Sequence, residues 1–321
     1  MNEIGSTIKL QMPNIDKYKD VDGLYRSVPG RKWSSIHADT PLPSGSPYQI
    51  KRKPDIVLVE ATEDLHTLEW SKILVCSETT TVNNNPVTEA MVKEKSYIMF
   101  MEQDNRCFVP AVYFQNDRFG FHMYDRNRLQ TYRAPLQSTH SPSHLLRIFT
   151  HLFFGRPAAI GYDETMSCEE GRAKRVKQCG DWWDVDRELH RSASFIGRST
   201  KCWVVSLKRE GSDDIIRQVM KDTWANVLTA DNEYKILKRI QNINGGRSLP
   251  QLYNWSRVPV PIGDSVEDDS TARRDHPDAI ARVHCRLVSG PVAYPLTCFV
   301  NLKDFVGALV DATQGICSFA L

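Results

Sequence analysis

The sequence predicts an α+β protein built from two units. Two observations carry that prediction. Between residues 54 and 155, strand-sized runs rich in Val, Ile and Leu are interrupted by two segments of helical periodicity. A basic, tryptophan-bearing stretch follows, and from residue 195 a second alternation begins, with one strongly amphipathic helix among its strands. At roughly 100–200 residues per domain, 321 residues accommodate two such units.

Residues 1–50 are rich in Pro, Ser, Gly and charge, show little periodicity, and read as a poorly ordered arm. The first unit spans 51–165. Within it, 54–61 and 70–79 are strands separated by the polar TEDLHT. Residues 87–103 form a helix, with Val87, Met91, Ile98 and Met101 near helical spacing. RCFVPAVYFQ and FGFHMYDRN are two strands meeting at a turn at Asn116 and Asp117. A second helix runs from 141 to 155, with Pro142 in its first turn, and stops at Gly155-Arg156-Pro157.

Residues 166–190 read as a linker whose basic RAKRVK is a solvated face or, in a sharper reading, a nuclear-import patch. The second unit spans 191–321. FIGRSTKCWVVSL (195–207) reads as strand, polar turn and strand, and IIRQVMK (215–221) as a third strand. Residues 225–243 form a helix with Val227, Tyr234, Leu237 and Ile240 on one stripe. Two further strands, 249–261 and 281–290, flank a charged loop at 261–278, and a last helix opens at 301.

Composition removes several classes of function. With 41 basic and 39 acidic side chains the formal charge is +2, so no global basic excess points to specific nucleic-acid binding. No run approaches the ~18 apolar residues of a membrane span, and the N-terminus carries no signal-type apolar core. An intracellular protein, cytoplasmic or nuclear, is the expectation. The eight cysteines never fall as C-x-x-C and read as reduced core thiols, not as a zinc ribbon or a disulfide framework.

The chemistry-bearing residues lie mostly in the second unit. A loop that approaches nucleotide phosphates needs small residues, a strand lysine must reach those phosphates, and a helix glutamate must hold the lysine in place. The loop pattern G-x-G-x-x-G-x-V is met here by Gly197 and Val204, with Ser199 and Cys202 where the other glycines would be. Lys221 ends the apolar run Val219-Met220, and Glu233 lies on the next helix. Taken singly, these have ordinary readings: a hairpin glycine, a snorkelling strand-end lysine, an exposed helix charge. Their joint order favours a protein-kinase-like N-lobe.

At these residues the chain resembles the fungal-type protein kinase family. The resemblance runs over about 50–316 through KPDIVL, EWSKILVCSE, DNRCFVPAVYF, MYDRN, IGYDET, GRSTKCW, VMKDTW, NEYKILKRI and RLVSGPVAYPLTCF. It implies ATP as ligand, an ATP-binding set of Gly197, Ser199, Val204 and Lys221, Glu233 as the partner of Lys221, and a hinge near Ser289–Leu296. It also implies phosphotransferase ancestry of the Ser/Thr type.

The departure is large. Working kinases need an H-R-D-x-x-x-x-N catalytic loop and a D-F-G aspartate for magnesium, both beyond the hinge helix in which this chain stops. The expectation is a truncated, inactive, pseudokinase-like chain with weak ATP binding. Magnesium would enter only with a complete C-lobe, and Phe305, Val306, Leu309 and Val310 would be left as an apolar patch.

Pro54-Asp55 followed by Glu78-Thr79-Thr80 resembles a degenerate PD-(D/E)xK nuclease pattern, which needs two acids for the metal and a lysine for the attacking water. Thr80 stands at the lysine position, so the pair reads as two strand-end acids on an inherited scaffold. The fold expected is therefore a degenerate PD-(D/E)xK-like α/β domain followed by a kinase-like N-lobe. A non-catalytic scaffold role, with the first unit engaging an unidentified protein partner, is the alternative.

Overall fold

Strand signals in the first unit become one mixed sheet because a parallel pair forces a helix into the chain. A computed structural model describes residues 30–43, 52–81, 85–136, 141–208, 214–241, 250–262, 265–274 and 280–320. The first sheet holds β1 (Arg31–Ser34), β2 (Ile56–Glu60), β3 (Val75–Thr80), β4 (Phe108–Gln115), β5 (Arg118–Asp125) and β6 (Leu129–Pro135), in that order. All neighbours are antiparallel except β3 and β4. A parallel pair needs a crossover, and α1 (Asn85–Glu102) provides it.

Alternation along the strands then fills two cores. Val57, Val59, Cys76, Ala111 and Tyr113 face α1, meeting Val92 and Met99. Leu58, Val75 and Val112 face α2 (Ser141–Phe154), meeting Phe149 and Phe153. Most of the predicted arm lies outside the described residues, but β1 corrects its end. Trp33 is buried with its ring centroid 6.0 Å from that of Phe149. A four-residue strand is too short to show periodicity. β6 was equally silent in the sequence, because LQTYRAP is largely exposed.

The second sheet has seven antiparallel strands ordered β12-β15-β11-β10-β9-β8-β7. They are β7 (Met166–Glu169), β8 (Arg172–Gln178), β9 (Asp181–Arg191), β10 (Lys201–Lys208), β11 (Ile215–Asn226), β12 (Gln251–Arg257) and β15 (Arg282–Gly290). Helix α3 (Asn232–Gln241) follows β11, and α4 (Leu302–Ala320) follows β15. The predicted linker is thus wrong: 166–191 supplies three strands. In RAKRVK the buried Ala173 and Val176 face the core while the charges face outward, with Lys174 on Glu169 at 3.2 Å and Arg175 on Asp184 at 3.1 Å. A bulge opposite β7 places the buried Ala173 and Val176 three residues apart, so the segment shows no period of two.

Three further expectations shift. Residues 195–200 form no strand, and the partner of β10 is β9. The helix predicted from 225 begins at Asn232, because β11 continues through Asn226. The charged loop at 261–278 contains a hairpin of β13 (Pro259–Ile262) and β14 (Ser265–Asp268), then the buried Asp269 and Thr271. On α4, Val306, Leu309 and Val310 are exposed, and Phe305 packs on Phe299. No helix among the described residues is long and apolar enough to cross a membrane.

Candidate functional site

The sheet order places β9, β10, β11, β15 and β12 side by side, with α3 between β11 and β12 in sequence. Cross-strand partners share a face, so the register Cys202–Lys221, Val204–Val219 and Lys221–Leu287 sets Val204, Lys221 and Leu287 on one side. Trp203, Val205 and Met220 fill the core on the other. Helix α3 lies over the Lys221 side. There Lys221 Nζ donates to both oxygens of Glu233, each at 2.7 Å. The pair borders a cavity of about 550 Å³ also lined by Arg198, Thr223, Trp255 and Leu287.

The loop between β9 and β10 is built differently from the sequence expectation. Gly197 adopts φ of +97°, and a Cβ there would meet nothing closer than Arg282 at 4.0 Å. Its N–H donates to Arg126 O at 2.7 Å. Ser199 is buried with φ of +41°, and its hydroxyl accepts from Arg126 at 2.8 Å. Phe195 lies in the core of the first unit, stacked on Phe100 with centroids 5.3 Å apart. The structure therefore joins Lys221 to Glu233, sets Val204 in β10 on the same sheet face, and gives the hydroxyl of Ser199 to Arg126. Sequence gave no sign of this anchor, since Arg126 lies 73 residues from Ser199.

Between the units runs a buried charge network. Arg286, from β15, donates to Asp222 at 2.8 Å, to Thr165 at 2.5 Å and to Asp163. Asp222 also accepts from His284 Nε2 at 2.8 Å. Asp104 accepts from Arg191 at 2.5 Å and lies 3.4 Å from Lys201, whose ammonium donates to the Asp104 carbonyl. Burial alone would raise the Asp104 carboxyl, but Lys201 and Arg191 hold it down at about 2. Burial likewise opposes charge on His284, yet Asp222 and Asp269 raise it to about 9. The network passes through segments that carry the family resemblance: DNRCF, IGYDET, VMKDTW and RLVSG.

The nuclease-like acids of the first unit are closed. Asp55 accepts from the Thr79 amide at 2.8 Å and from its hydroxyl at 3.2 Å. Glu78 is buried against Lys95 of α1, and burial raises its carboxyl above the ordinary range. Lys95 thus supplies beside Glu78 a positive charge that Thr80 does not carry. Nearby His122 is buried, with Nδ1 2.9 Å from Thr131 Oγ1. Burial lowers it from 6.5 to about 4. Because the unfolded chain binds this proton first, stability should fall as pH drops from 6.5 toward 4. The expected loss is about 2 kcal/mol by about pH 5, read from urea midpoints, and His122→Gln should flatten that window.

These features define an α+β protein of two large sheets with their helices, an architecture consistent with a kinase-like domain. A sequence profile of fungal protein kinases matches residues 53–276, and the chain belongs to that family. Neither a curated protein nor a solved structure matches it.

Proposed function

We propose that the second unit binds the phosphates of ATP. The carrying observation is the bidentate Lys221–Glu233 pair at the mouth of the 550 Å³ cavity, with Arg198 beside it. An ammonium fixed by a carboxylate is preorganised for a polyphosphate, and a second cation adds attraction. Gly197 and Val204 would border the nucleotide, whereas Ser199 contributes backbone only, its hydroxyl being engaged by Arg126. Bound ATP would supply a transferable phosphoryl group. The role assigned to these residues is nucleotide binding.

A second reading, a non-catalytic scaffold for a protein partner, draws support from the fixed loop: Phe195 in the core of the first unit leaves no free lid. The first unit fits a degenerate PD-(D/E)xK scaffold through Asp55, Glu78 and Lys95, with its acids used internally. Thermal unfolding with ATP separates the readings. Binding should raise the melting temperature by mass action, and Lys221→Ala should abolish the shift without lowering basal stability by more than about 1 kcal/mol. No shift at millimolar ATP, or an equal shift in Lys221→Ala, would sink nucleotide binding through this pair.

A further inference from the structure

Where the two units meet, three potential metal ligands converge from separate parts of the chain. Cys107 comes from the turn before β4, Asp269 from the segment after β14, and His284 from β15. All three are buried, and Cys107 Sγ, a carboxylate oxygen of Asp269 and a ring nitrogen of His284 lie within 4.8 Å of one another. Cys107 is set by its amide, which donates to Gly161 O at 2.8 Å. Gly161 has φ of +97°, and a Cβ there would lie 2.0 Å from Phe108 O, so only glycine permits this approach.

Hydrogen bonding leaves this cluster incomplete. Nε2 of His284 is engaged by Asp222, which Arg286 holds from its other side. Oδ1 of Asp269 is engaged by Arg274 at 3.1 Å. The remaining atoms, His284 Nδ1 and Asp269 Oδ2, face each other at 3.4 Å, near enough for the carboxylate to favour a proton on the ring but without hydrogen-bond geometry, so the ion would take the place of that proton. A charge-assisted hydrogen bond is shorter, at about 2.7–2.9 Å. Two ligands at about 2.0–2.1 Å from a tetrahedral zinc ion stand about 3.3–3.4 Å apart.

The surroundings fit the same ion. A histidine that ligates through one nitrogen typically gives its other N–H to a carboxylate, as His284 does to Asp222. Thiolate and carboxylate together would balance a divalent charge, and a sulfur, nitrogen and oxygen set suits zinc better than magnesium or calcium. Arg274 adds positive charge, and with Asp269 committed to the ion it is matched by Asp125 at 3.6 Å. Cys107 and Asp269 also line a cavity of about 500 Å³ that includes Tyr162, Trp182 and Pro259, giving a route inward and room for a fourth ligand.

We propose that Cys107 Sγ, Asp269 Oδ2 and His284 Nδ1 form a zinc site that bridges the two units, with a water from the cavity as fourth ligand. Closing the triad requires the sulfur to approach the other two ligand atoms, since the three lie within 4.8 Å of one another and zinc ligands stand closer. The ion would tie the first unit to the second sheet at the point where Asp163 and Arg286 already do so.

The test is a cobalt(II) titration of the chelator-treated full-length chain, with zinc as competitor. One equivalent should bind with a thiolate-to-cobalt charge-transfer band in the near ultraviolet, and zinc should erase it. Cys107→Ser should lose the band, while Cys298→Ser, which removes an exposed thiol, should keep it. If Cys107→Ser does not fold, Asp269→Asn decides: at equal volume it should weaken cobalt at least about tenfold. Absence of the band in the wild-type chain, its survival in Cys107→Ser, or unchanged affinity in Asp269→Asn overturns the site.

Discussion

Replacing Arg286 by Met should destabilise the protein by about 3–5 kcal/mol, seen as a lower urea midpoint with an unchanged slope. The guanidinium is fully buried between Asp163 of the first unit and Asp222 of the second. Removing it strands the Asp163 carboxylate away from water and leaves Asp222 with His284 as its remaining hydrogen-bonded cation, and an uncompensated buried charge costs far more than a surface pair contributes. Exposed pairs give the contrast. Arg175→Met breaks a contact with Asp184 in which both side chains are more than half exposed, and it should change stability by less than about 1 kcal/mol. If Arg286→Met and Arg175→Met cost the same, the junction is not held by this network. A double variant, Asp163→Asn with Arg286→Met, should recover part of the loss, since one stranded charge is gone.

Lys95→Met should carry a penalty of similar size, about 3–5 kcal/mol, for the same reason inside the first unit. Lys95 and Glu78 are both almost wholly buried, with side chains 4% and 2% exposed. Methionine fills the lysine's space but leaves Glu78 with no counter-charge. Folding should then draw a proton onto Glu78, so the deficit should shrink as pH is lowered toward 4.5 and below. Glu78→Gln added to Lys95→Met should restore much of the loss at neutral pH. A Lys95→Met chain as stable as wild type at neutral pH would mean that the pair is hydrated, contrary to its burial.

Elements with a clean period were legible before any coordinates. β4, β5, α1 and α2 fall within a few residues of their expected spans. The face of α1 was misplaced, since Met91 is exposed and Val92 and Met99 join Ile98 in the core. The contact of Lys221 with Glu233 was legible too, since it needed only a strand followed by a helix. β7 to β9 were not legible, since the bulge between β7 and β8 and the exposed half of β9 break the alternation. The junction was least legible of all. Asp163 and Arg286 are 123 residues apart, and no local pattern says that an aspartate in IGYDET and an arginine in RLVSG will share a hydrogen bond. The motifs themselves were visible. Residues of DNRCF, IGYDET, VMKDTW and RLVSG bond at the junction of the two cores.

The anchored loop has a kinetic consequence. In many enzymes a mobile loop closing over the ligand adds a step after encounter and often limits release. Here Phe195 and the two backbone contacts of Arg126 commit the loop to one position before any ligand arrives. A ligand can shift an equilibrium only by its unequal affinity for the two states, and one dominant state leaves it little to shift. Association should therefore be a single exponential whose rate rises linearly with ligand concentration, without the plateau that a closure step imposes.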